Sequence, residues 1–186
     1  MLQLFWHCLD LTKSDEEFIK GSFCELAGLL AKPPTGITFK AIQLPRNIIS
    51  KTENILRKHQ RDLLVYYREI SKFPSSIKPF PLLIYCVNDS PTAQTAKKQN
   101  RLAKWGLTLP GCISIVYSMN NKYILWHEAI HLFGVDDCYD ENNPDGPLRC
   151  ELKNCLMQYA PTEHTVGKWP FLCQKSIQAI QRSDKV

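Results

Sequence analysis

"WHEAIHLFGVDDC", residues 126–138, decides how the rest of the chain is read. His127 and His131 stand four positions apart, so on a helix both imidazoles leave the same face and reach one small ion. Glu128 follows the first histidine directly. From there a carboxylate reaches a water molecule on such an ion without being a ligand itself. This H-E-x-x-H spacing is the zinc-hydrolase arrangement, in which the zinc acidifies the water and the glutamate accepts its proton. The competing reading is an amphipathic helix with incidental polar residues, since HExxH also recurs by chance. The neighbours favour the metal. Ile124, Leu125, Ala129, Ile130, Leu132 and Phe133 make the helix apolar over most of its circumference. A buried helix does not carry two histidines and a glutamate without partners, because unpaired polar groups are costly there.

The residues after the helix extend the pattern. Gly134 lies three positions after His131 and suits the end of the helix at 122–134. Glycine allows a left-handed turn that brings the chain back, so that Asp137, three positions further on, meets the same metal. Asp136 is a rival that the spacing disfavours. A carboxylate ligand removes one positive charge from the centre, which predicts a less acidic zinc-water than three histidines would give. The whole, H-E-x-x-H-x-x-G-x-x-D, resembles the metzincin metallopeptidase motif with aspartate in place of the third histidine, as in small metzincins of the snapalysin type.

That resemblance implies a methionine in a tight turn beneath the zinc. "NCLMQYAPT", residues 154–162, supplies Met157. Tyr159 lies two positions later, where a tyrosine in astacin- and serralysin-like members approaches the zinc or stabilises the oxyanion. A plain packing tyrosine is the alternative. His164 lies past this segment and reads as a surface residue or a pocket lining.

Eight cysteines are present. Cys8, Cys24, Cys86 and Cys112 sit in apolar segments and read as small core residues. The remaining four resemble the archaemetzincin pattern. That family places a cysteine directly after the third ligand, another two before the Met-turn methionine, and a pair downstream, which together hold a second, structural zinc. Here Cys138 follows Asp137, Cys155 lies two before Met157, and Cys173 stands where the family has C-x-x-C. Ser176 occupies the place of the last family cysteine. Residues 139–149 look like an insertion, and Cys150 behind them restores the count. The expected second site is therefore Cys138, Cys150, Cys155 and Cys173, a tetrahedral thiolate site. Two disulfides, or a mixture of free thiols, are the alternatives. The resemblance covers about residue 106 to the C-terminus.

Composition sets the remaining bounds. The chain has 186 residues, 44% hydrophobic and 22% charged, which suits one well-cored domain. A net charge of +5 without a long basic run gives no sign of a nucleic-acid partner. No apolar run is long enough to span a membrane. The N-terminal stretch lacks a basic region and a long apolar core, so a cytoplasmic location is expected, where cysteine clusters more often bind metal than form disulfides. Nothing in the sequence speaks to oligomeric state.

Apolar patterning places strands at residues 2–11, 37–44, 79–89 and 112–118. Ser14 and Glu17 read as a capping box opening a first helix. A stripe from Ile48 to Ile70, with His59 at its margin, reads as one long second helix. Residues 90–106 read as helix or loop. This order predicts an α/β or mixed α+β domain. The resemblance implies a single metzincin-like domain over 1–186. An upper part, 1–134, holds a twisted mixed sheet and two helices, the motif helix included. A lower part, 135–186, holds the third ligand, the Met-turn, the cysteine cluster and a C-terminal helix. The expected activity is zinc-dependent hydrolysis of a peptide or protein substrate, with Glu128 as general base. A non-catalytic, zinc-stabilised binding protein on the same fold is the runner-up, and a small-molecule amidohydrolase is a third reading.

Overall fold

The computed structural model describes residues 1–9, 12–58, 62–75, 80–86, 106–117, 121–140, 147, 149–158, 161 and 171–184. In chain order the elements are β1 (Leu2–Leu9), α1 (Lys13–Leu30), β2 (Phe39–Gln43), α2 (Arg46–Lys58) and α3 (Leu63–Ser71). They continue with β3 (Leu82–Cys86), β4 (Gly106–Leu109), β5 (Ile113–Tyr117), α4 (Lys122–His131) and α5 (Gln174–Ser183). The strands form one mixed sheet in the order β2-β1-β3-β5-β4. All neighbours pair parallel except β4, which lies antiparallel to β5 at the edge.

Alternation along the strands divides the core between two faces of the sheet. Leu2, Leu4, Trp6 and Cys8 of β1 pack with Phe23 and Leu26 of α1 and with Leu125 and Ala129 of α4. Phe5 faces the other way, toward Leu56 of α2 and Tyr66 and Ile70 of α3. The result is a sheet between two helical layers. Inner strands covered on both sides read as continuous apolar runs, and every residue of β5, "ISIVY", is buried. Each fully buried Leu or Ile contributes roughly 1.5–3 kcal/mol relative to exposure. None of the described helices is long and apolar enough to cross a membrane.

Four local features differ from the sequence reading. The capping box that opens α1 is Thr12 with Asp15, not Ser14 with Glu17: Thr12 Oγ1 accepts from Asp15 N at 3.3 Å, and Asp15 Oδ2 accepts from Thr12 N at 3.0 Å. The stripe from Ile48 to Ile70 is two helices, because Asp62 caps a new one by accepting from the N–H groups of Leu64 and Val65. The apolar rhythm survives the break because α2 and α3 face the same cluster. Four described helices therefore precede Gly134, one more than the patterning marked and two more than the resemblance implied for the upper part. β4, only four residues long and bounded by Pro110, was not anticipated at all. His59 and residues 90–105 lie outside the described residues.

Candidate metal centre

α4 is built to be buried. Asn121 caps it, its side-chain oxygen accepting from Tyr123 N at 3.0 Å and Ile124 N at 3.4 Å. Residues Ile124 to Ile130 are all buried. Trp126 fixes the helix against its surroundings: its Nε1–H donates to Ser22 O at 2.8 Å, and its ring stacks on Phe171 with centroids 5.6 Å apart. α4 ends at His131, and a turn follows in which Gly134 N donates to His131 O at 3.0 Å. Gly134 has φ of 75°, the left-handed conformation expected of it.

The turn and a second segment orient both histidines. Val135 O lies 2.6 Å from His131 Nδ1, and Leu156 O lies 2.9 Å from His127 Nδ1. A carbonyl only accepts, so each Nδ1 carries the hydrogen and each Nε2 presents a bare lone pair. The two Nε2 atoms are 3.0 Å apart, and Asp137 Oδ1 is 3.2 Å from each. Asp137 Oδ1 is buried, and neither contact has hydrogen-bond geometry. Three acceptor atoms thus face one point with no hydrogen between them. Tetrahedral zinc with bonds of about 2.0–2.1 Å would space its ligands about 3.3 Å apart. The donor set and its spacing fit such an ion. Asp136, the rival ligand, has an 81% exposed side chain that lies 3.8 Å from Lys175.

Electrostatics follow from the same convergence. Burial disfavours the charged form of Asp137, yet in the metal-free protein the two imidazoles that face it, once protonated, hold its carboxyl well below the usual carboxylate range. Burial likewise disfavours imidazolium at His131, but Asp137 and Glu128 raise its pKa above the ordinary value.

Glu128 is buried beside these ligands, 8% exposed. Thr108 Oγ1 lies 2.5 Å from its Oε2, and Ser114 Oγ lies 3.5 Å from the same oxygen. These hydroxyls, like the carbonyls of Leu156 and Val135, were missed in the sequence. Ser114 left a trace there, since a hydroxyl inside an apolar run needs a buried partner.

The second cluster also forms. One ligand atom from each of Cys138, Cys150, Cys155 and Cys173 lies within 4.8 Å of the others. Cys138 Sγ is 3.8 Å from Cys155 Sγ and 3.7 Å from Cys173 Sγ. A disulfide needs about 2.05 Å. Four thiolates on tetrahedral zinc at about 2.3 Å stand about 3.8 Å apart. The Cys138 thiol donates to Cys155, which pushes Cys138 up and holds Cys155 below the ordinary thiol value. Ser176 Oγ sits 3.1 Å from Cys173 Sγ. Of the other cysteines, Cys8 is buried and Cys112 half-buried, but Cys24 is exposed on α1 and is not a core residue. The side chain of Cys86 lies outside the described residues.

The two clusters share their supports. Asp137 and Cys138 are consecutive, as are Cys155 and Leu156. Cys138 N donates to Met157 O at 2.8 Å, and Gln158 N returns to Cys155 O at 3.2 Å, which puts the fully buried Met157 in a tight turn. Tyr159 and His164 lie outside the described residues.

No protein-family model matches the chain, and no curated protein does. Among solved structures, the archaemetzincin of Methanopyrus kandleri matches over 100% of this chain and 96% of its own, with a TM-score of 0.53 and 16% sequence identity. The fold is therefore an archaemetzincin-like α/β fold.

Proposed function

We propose that the chain is a zinc-dependent metallopeptidase that cleaves a peptide or protein substrate. The observation that carries this reading is the convergence of His127 Nε2, His131 Nε2 and Asp137 Oδ1 on one point, 3.0–3.2 Å apart, with a buried glutamate next to the first ligand. A zinc ion held by these three atoms supplies Lewis-acid polarisation of the scissile carbonyl and makes water a nucleophile near neutral pH. The chain's own residues do the rest. Glu128 takes a proton from the attacking water and returns it to the leaving amine. Leu156 O and Val135 O keep the imidazoles in the tautomer that can ligate. Gly134 turns the chain so that Asp137 is the third ligand, and Met157 is the Met-turn residue. Tyr159 is assigned to the oxyanion by resemblance alone.

Cys138, Cys150, Cys155 and Cys173 hold a second, structural zinc in this reading. Thiols at metal-bridging rather than disulfide spacing suit a reducing compartment, in line with a cytoplasmic protein.

Cleavage of a broad peptide library by the zinc-loaded chain, beside Glu128→Ala, tests the proposal. Wild type is expected to cleave, and the variant to lose turnover while keeping its zinc. Turnover by a clean Glu128→Ala preparation would overturn the mechanism. A zinc-replete wild type that cleaves nothing would instead identify a binding protein on this fold.

A further inference from the structure

β4 and β5 do more than close one edge of the sheet. Their antiparallel register sets Thr108 opposite Ser114, and the two-residue strand period puts Gly106 on the same face as Thr108. Glu128 lies over this patch. Among the described residues, two hydroxyls lie within reach of its carboxylate, both on the Oε2 side: Thr108 Oγ1 at 2.5 Å, which donates to it, and Ser114 Oγ at 3.5 Å. The two hydroxyls are 2.9 Å apart. A hydroxyl has a single hydrogen, so with Thr108 donating to the carboxylate, Ser114 is the donor between them. Gly106 completes the arrangement by what it lacks. A Cβ there would stand 2.0 Å from both Cδ and Oε1 of Glu128. The carboxylate therefore occupies the space that any other residue at 106 would fill.

We propose that Thr108, backed by Ser114 and by the bare backbone of Gly106, is a positioning residue for Glu128. It pins Oε2 and leaves Oε1 to exchange the proton. The proposal rests on the reading of Glu128 as general base. The described side-chain hydrogen bonds of Thr108 reach Ser114 and Glu128 and none of the three converging metal-ligand atoms, so a loose carboxylate costs rate and not metal. Thr108→Val removes the hydroxyl at nearly constant shape, and Thr108→Ser restores it.

The test uses the full chain, zinc-loaded, with a peptide that wild type cleaves. Thr108→Val is expected to lower kcat about tenfold or more, with KM and zinc content unchanged, and Thr108→Ser to recover most of the loss. Ser114→Ala, which leaves the direct contact in place, is expected to lower kcat less, and replaces the valine variant should that fail to fold. Gly106→Ala is expected to lose turnover with zinc retained. A second arm needs neither metal nor substrate: urea unfolding of Thr108→Val, Glu128→Ala and the double variant, where direct contact predicts a non-additive shift of midpoint. Additive midpoints, or a Thr108→Val enzyme with unchanged kcat, would overturn the proposal. If wild type cleaves nothing, the metallopeptidase reading fails. A non-additive cycle then makes the hydroxyls partners of a buried carboxylate only, which also overturns the positioning role.

Discussion

His7 lies within β1 with its ring fully buried, Nε2 3.3 Å from Thr52 Oγ1 on α2 and Nδ1 without a side-chain hydrogen bond among the described residues. Burial pushes its pKa down to about 4. The folded state therefore holds a neutral ring that the unfolded chain protonates near pH 6.5. Stability from this residue is complete above that value. It falls as the pH drops toward 4, by roughly 3 kcal/mol over the interval, and is level below it. Urea unfolding of the metal-free protein at pH 7.5 and pH 4.5 should show this slope, and His7→Gln should flatten it. His131 acts in the opposite sense in the metal-free protein: its raised pKa gives stability that is present in acid and lost as pH rises through the folded value. Comparison of His7→Gln with wild type isolates the first effect. The three residues that converge, His127, His131 and Asp137, were legible as a group because a single short stretch sets their spacing. The carbonyls of Leu156 and Val135 were not, since a backbone oxygen carries no residue signature. Nor was Thr108, whose partner lies twenty positions away.

The elements around the centre divide along similar lines. α4 was readable as buried because its apolar residues run round the axis; its end falls at His131, three residues before the Gly134 expected to close it. The structure adds what that glycine costs to replace. A Cβ at residue 134 would meet nothing nearer than Ser183 Oγ at 3.8 Å, so the penalty of Gly134→Ala is conformational and not steric. Forcing alanine to φ of 75° is expected to destabilise the metal-free protein by about 1 kcal/mol or more. The same turn carries Val135 O and leads to Asp137, so chelator competition should also show weaker zinc binding in this variant. β4 was illegible for a different reason. Four residues, "GLTL", carry too little pattern to mark a strand, and the pairing with β5 that creates it is visible only in three dimensions. The division of 48–70 into two helices was hidden by a stripe that both halves share.

At the scale of the molecule, one apolar cluster joins the ends of the chain. Leu2 and Trp6 of β1 belong to the same cluster as Cys138, Cys155, Phe171 and Ile177. The N-terminal amino group pairs with Asp184, and Gln181 of α5 donates to the carbonyls of Pro34 and Thr35. The mixed α/β class followed from the alternation of strands and helices. The meeting of the cysteines did not follow from their spacing, which also allowed disulfides; it needed the resemblance to suggest it. Metal analysis is expected to find two zinc ions per chain, one for each cluster. Chelation under reducing conditions should expose four additional reactive thiols and lower the thermal midpoint, because a site that exists only in the folded chain lends its binding energy to folding. Four thiols that stay unreactive in the metal-free, reduced protein would remove the second zinc.

The two junctions at Asp137–Cys138 and Cys155–Leu156 have a consequence for how such a chain can vary in length. Each pair of consecutive residues delivers one group to each cluster, so a single peptide unit is the whole spacer between them. An extra residue inside either pair would throw both clusters out of register at once. Between Cys138 and Cys150 no residue supplies a group to both clusters; beyond the meeting of the thiols, the described ties there are Arg149 N to Cys138 O and Arg149 to Asp140. Length differences among proteins built this way should therefore gather between the cysteines and never within these two pairs.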